Sequence, residues 1–161
     1  MRRLWFLLAL LVVGAPASAQ TYTDTTPFVC QAATAAQIQL PFGYFNCRGI
    51  FYDGNKVELF FNGGRAEVFT SFGWAVYNAP ISLTTFTQPN PAYCPVRQPG
   101  YHTGCPAGTV PGTFSFNWSG TGTDGLPHNG SVSGTWENVQ YCGGERCWYH
   151  PVLESSTITI N

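Results

Sequence analysis

Two glutamates, Glu58 and Glu67, flank the turn sequence "NGG". A pair of carboxylates brought face to face is the basic equipment for general acid and base attack on a glycosidic bond. The stretch that holds them, "IFYDGNKVELFFNGGRAEVF" (50–69), reads as three strands joined by "DGN" and "NGG", because Asp, Asn and Gly accept the positive φ of hairpin turns. A period of two then sorts the side chains. With a two-residue turn at "DGN", the residues Ile50, Val57, Leu59, Ala66 and Val68 share the core face. The other face holds Phe51, Lys56, Glu58, Phe60, Arg65, Glu67 and Phe69.

The second turn decides how the two acids meet. A turn on Asn62 and Gly63 sets Glu58 opposite Glu67 with Cβ atoms about 5 Å apart, where like charges repel. A turn on Gly63 and Gly64 pairs Phe60 with Glu67 and Glu58 with Phe69, which removes the clash. The first register makes Glu58 and Glu67 the candidate catalytic residues of a small secreted glycoside hydrolase; the second leaves two acids on a solvated strand face and no catalytic residue.

Phe51, Phe60 and Phe69 carry more apolar area than a solvated face leaves uncovered. They are expected either beneath a long loop or another strand layer, or as a ligand-binding face with Arg65 and the loop residues Tyr93, Arg97 and Tyr101.

Other chemistry is weaker. His102, His128 and His150 sit in "GYHTG", "LPHNG" and "WYHPV", with no pair at the close spacing of a metal-ligand motif, so no metal or cofactor is expected. "FYDGNK" and "GTDGLPHNG" place acids beside glycine, but neither has the alternating ligands of an EF-hand loop, and turn chemistry accounts for both. No G-x-S-x-G elbow is present. The glycosylation triplets at Asn117 ("NWS") and Asn129 ("NGS") are about as many as this composition yields by chance.

The elements that must position these residues follow from composition. Arg2 and Arg3 precede an apolar run and "GAPASAQ", which reads as a secretory signal peptide over 1–19 with a mature chain over 20–161. The run is shorter than the roughly 18 to 20 residues of a membrane span, so no transmembrane segment is expected. Of the seven basic residues, five follow the leader, against eight acidic ones; this gives the mature chain a net charge of −3 and disfavours nucleic acid and anionic membrane as partners.

Six cysteines in an exported chain imply three disulfides, and proximity pairs Cys30 with Cys47, Cys94 with Cys105 and Cys142 with Cys147. "CQAATAAQIQL" tolerates a helical turn or two. Elsewhere "TFSFNWS", "GSVSGTWENVQY" and "SSTITI" alternate as strands, which gives seven to nine in all. One core and this many strands make a single-domain antiparallel β-sandwich, or alternatively a closed β-barrel, stabilised by disulfides.

An irregular segment over 87–112 holds six of the twelve prolines and two of the cysteines, a length at which loops are usually functional. "YCGGERCWYHP" adds a disulfide-closed hairpin tip beside Trp148, Tyr149 and His150, which serves equally as a contact surface or a local staple.

These features converge on an extracellular or periplasmic β-domain that works by binding or structural contact. The expected partner is an extracellular polysaccharide or a protein. The hydrolase and an inhibitor or toxin-like protein presenting a cysteine-closed loop are the alternatives.

Overall fold

The computed structural model describes residues 19–24, 28–33, 45–95, 105–143 and 145–161; residues 1–18 of the expected signal peptide, Arg97, Tyr101, His102 and residues 34–40 of the helical-turn stretch lie outside them. Among the described residues ten strands form: β1 (Gln20–Asp24), β2 (Phe28–Val29), β3 (Cys47–Asp53), β4 (Asn55–Asn62), β5 (Arg65–Thr70), β6 (Ala75–Phe86), β7 (Cys94–Pro95), β8 (Gly112–Thr121), β9 (Pro127–Gly143) and β10 (Arg146–Ile160). The expected all-β antiparallel architecture is present. The main strands follow the order β1-β10-β9-β8-β6-β5-β4-β3, with β2 on β10 and a short parallel β7 on β9. Strands β1 and β3, at the two ends of this order, lie beside each other, so the sheet is nearly closed.

Strand β6 makes the corner that turns one sheet into two facing walls. Its first half, to Pro80, pairs with β5; its second half, from Ile81, pairs with β8. Strands that switch partners at bends are how sandwiches and barrels turn corners. The bend has a local cause: Asn78 adopts φ 54°, opposite the bulge between Ala66 and Val68, and asparagine tolerates that left-handed backbone better than most residues. Pro80, which has no N–H to give a ladder, sits where the strand changes neighbours.

The first wall is β3, β4, β5 and the start of β6; the second is the end of β6, then β8, β9, β10 and β1. Between them Phe51, Val57, Leu59, Phe61 and Val68 meet Phe114, Phe116, Trp118, Val132 and Ile158, all buried. Phe61 packs edge-on against Phe116 across the core, with ring centroids 5.4 Å apart. Trp136 closes one end between Phe45 and Phe86 and donates its indole N–H to the Thr87 carbonyl.

One face assignment is corrected. Phe51 is fully buried and Ile50 is exposed, the reverse of the sequence expectation, which also removes Phe51 from the candidate binding face. The turn is the reason. Asp53 pairs with Asn55 around Gly54 alone, at φ 70°, so Phe51 rather than Ile50 falls opposite Val57. A hairpin one residue shorter than expected flips every side chain that precedes it.

All three expected disulfides are formed: Cys30 to Cys47, Cys94 to Cys105 and Cys142 to Cys147. The described parts of the 87–112 segment lie along the second wall, where β7 pairs with β9 and Cys94 and Cys105 pack over Val139 and Val152. Among the described residues no helix is long and apolar enough to cross a membrane.

Candidate functional site

The outer face of the first wall carries the candidate site. Gly63 and Gly64 form the β4 to β5 turn at φ 58° and 79°, so the register without the clash is the one adopted: Phe60 pairs with Glu67 and Glu58 with Phe69. Phe60 and Phe69 occupy the same diagonal and meet edge-on at 5.7 Å, and Phe69 meets Tyr77 of β6 edge-on at 5.3 Å. The three rings form a ladder across β4, β5 and β6. Phe60 and Phe69 are half-buried and Tyr77 is exposed. Edge-to-face geometry places the electropositive rim of one ring against the electron-rich face of the next, which fixes the rings without covering them.

Charged and amide groups frame the ladder. Arg48 of β3 holds its guanidinium 5.0 Å from the Phe60 centroid and donates to Glu58 Oε2 at 2.9 Å. Lys56 Nζ meets the other oxygen of Glu58. Beside Phe60 a groove of about 360 Å³ is lined by Asn46, Asn62, Arg65, Glu67 and Asn78. Arg65 crosses toward the corner, where Nη1 lies 3.4 Å from the Asn78 carbonyl. The bend that joins the two walls therefore also builds one side of this groove.

This arrangement does little for acid catalysis. Hydrogen bonding to Lys56 lowers the Glu58 carboxyl below its ordinary range, opposed by partial burial and reinforced by Arg48. A carboxylate held ionised by two cations has no proton to give a leaving group. Glu67 faces Phe60 instead of Glu58.

Of the other expected site residues, Arg65 joins the groove. Tyr93, 41% exposed, does not: it packs edge-on against Tyr149 on the second wall. His128 accepts a place beside Asp124, 2.9 Å from Oδ2, and stacks on Trp74 with centroids 3.9 Å apart. Asp124 Oδ1 also accepts the Leu126 N–H, and these two contacts lower its carboxyl, the backbone bond most. That turn thus uses its own groups in place of an ion. His150 contacts Tyr141 and the Cys30 carbonyl. Among the described residues no group of three His, Cys, Asp or Glu side chains is placed to hold a metal.

Sequence reasoning missed a different acid pair. Glu137 is buried on β9 and accepts the Cys105 N–H at 2.6 Å, which ties down the end of the Cys94 to Cys105 loop. Glu154, at the bulge of β10, has its carboxyl raised first by burial and then by the neighbouring carboxyl of Glu137. Tyr77 was missed as well, because "AVYNAPISLTTF" carries an Asn and a Pro inside a strand.

No family model matches the chain, and neither a curated protein nor a solved structure is significantly similar to it.

Proposed function

We propose that the protein is a secreted, disulfide-stabilised module that binds an extracellular glycan on the outer face of its first wall. The observation that carries this reading is the half-exposed ladder of Phe60, Phe69 and Tyr77 beside a groove lined by amides, Arg65 and Glu67. A sugar ring has an apolar C–H face and a polar hydroxyl rim, and a pocket that combines rings with a few placed polar groups answers both. Three disulfides in a chain of this size suit an oxidising compartment, extracellular or periplasmic.

The adopted register does not set Glu58 opposite Glu67, and the lack of a facing carboxylate pair favours binding over hydrolysis. A protein partner is the second reading, favoured by the hairpin tip closed by Cys142 and Cys147, where Trp148 is 38% exposed and stacked on Tyr141.

The test is to incubate the oxidised mature protein with cellulose, chitin and insoluble β-glucan particles and to assay the supernatant for both protein and released sugar. Retention without release supports the glycan reading. Release of sugar overturns it in favour of the hydrolase, and no retention on any particle overturns it in favour of a protein partner.

A further inference from the structure

The outer face of the second wall is chemically unlike the first. Across its strands runs a row formed by Thr21, Thr159, Ser131, Asn117 and Ser82. A second row holds Thr23, Thr157, Ser133 and Ser115, with Thr84 bonded to Ser115. A third holds Ser155, Thr135, Thr113 and Thr87. Hydroxyls bond across strands within these rows, at 3.3 Å for Thr21 with Thr159, 3.4 Å for Thr23 with Thr157, 3.2 Å for Thr135 with Ser155 and 2.9 Å for Thr87 with Thr113. No charged or aromatic side chain interrupts them. At one end of the first row a groove of about 510 Å³ is lined by Asn117, Asn129, Asn161, Ser82, Ser119 and Ser131. Trp118, whose Nε1 is buried without a partner, also lines it.

We propose that this face is a second binding site, for a neutral polysaccharide chain that lies along the first row and is seated in the asparagine-lined groove. The chemistry disfavours the other large partners. Nucleic acid or an anionic glycan requires cations, and the rows have none. Protein interfaces are enriched in aromatic and arginine anchors at their centre, and the rows hold neither. A membrane surface requires an apolar or basic face. A neutral polyol is what remains, and it complements what is offered. A bonded pair of hydroxyls keeps one donor and three acceptor positions for a ligand. Asn161 Nδ2 donates to Asn129 Oδ1 at 2.9 Å, which orients the Asn129 amide and leaves its NH₂ as a donor. Strand spacing repeats the hydroxyls about every 4.8 Å along a row, so a polymer with hydroxyls on each unit meets many weak contacts at once.

The outer faces of the two walls point away from each other on opposite sides of the core, so a molecule that binds sugar on both bridges two polymer chains. That bridging rests on the first-wall reading; the second-wall site does not.

The test compares wild type, Asn117→Asp with Ser131→Asp, Thr21→Lys with Ser82→Asp, and Phe60→Ala on cellulose, chitin and β-glucan particles. Thermal unfolding is measured in parallel. Each charged pair introduces charge into the first row at exposed or half-exposed positions. The expected result is an association constant reduced at least tenfold in both charged pairs at unchanged unfolding temperature, including in a Phe60→Ala background. If Phe60→Ala alone lowers retention and both charged pairs bind like wild type, the second-wall site is overturned while the first-wall reading stands. If only the charged pairs lower retention, the second-wall site stands and the first-wall reading falls. Absence of wild-type retention on every particle overturns both.

Discussion

Arg48 spreads its guanidinium over the Phe60 ring, 5.0 Å from the centroid, while the same group donates to Glu58 at 2.9 Å. One cation thus fixes an aromatic ring and an acid at the same edge of the groove. It acts as a positioning residue for Phe60. Arg48→Gln is expected to weaken glycan retention by a few fold, while stability changes by only about 0.5 kcal/mol, as for other exposed ion pairs. Binding isotherms and urea unfolding of the same preparation check this, and a stability loss without an affinity loss would remove the positioning role.

Glu154 makes stability depend on pH in an unusual direction for a carboxylate. Burial, helped by Glu137, raises its folded-state pKa above the unfolded value. Its contribution is therefore fully present below the unfolded carboxyl pKa and is lost as pH rises through the folded one. Glu154→Gln keeps the shape without the titration, so the unfolding temperature of wild type relative to the variant should drop as pH rises from the ordinary carboxylate range toward neutrality. Parallel pH profiles for the two proteins would refute the assignment.

The adopted register depends on Gly63 and Gly64. Nothing lies within 4 Å of a Cβ built on Gly63, so at φ 58° its substitution meets only backbone strain. Gly63→Ala is expected to cost about 1 kcal/mol in urea unfolding, the ordinary penalty for a left-handed L-residue. A neutral effect would mean that the turn relaxes to another form.

The disulfides should rank by the loop they close. Cys30 and Cys47 are 17 residues apart, and Cys142 and Cys147 are 5 apart. Loop entropy gives roughly 3 kcal/mol for the first and about 2 for the second. Paired serine variants compared by urea unfolding test the order; a greater loss at the hairpin tip would show that Trp148 and Tyr141 depend on that bond.

Much of the fold was legible because strand alternation is a local signal. The inward Phe114, Phe116 and Trp118 and the outward Ser115 and Asn117 follow from period two alone. The choice between the two "NGG" registers was reducible to charge repulsion between Glu58 and Glu67. What escaped was decided by single turn residues or by distant contacts. "DGN" offers three residues that tolerate turn geometry, and only the fold shows that Gly54 alone makes the turn, which buries Phe51. Strand β6 hides behind Asn78 and Pro80, breakers that here serve a corner. The Glu137 and Glu154 pair depends on a bulge in β10 and a covering loop, neither of which leaves a spacing in the sequence.

The central claim is that the first-wall rings bind sugar instead of holding the fold together. The most direct measurement is the affinity of Phe60→Ala and Phe69→Ala for whichever polysaccharide retains wild type, with unfolding temperature recorded on the same samples. The account predicts at least roughly tenfold weaker binding, about 1.4 kcal/mol, in each variant. It also predicts that the unfolding temperature drops by no more than about 4 °C. Full affinity in both variants, or a large fall in unfolding temperature with unchanged affinity per folded molecule, would contradict it.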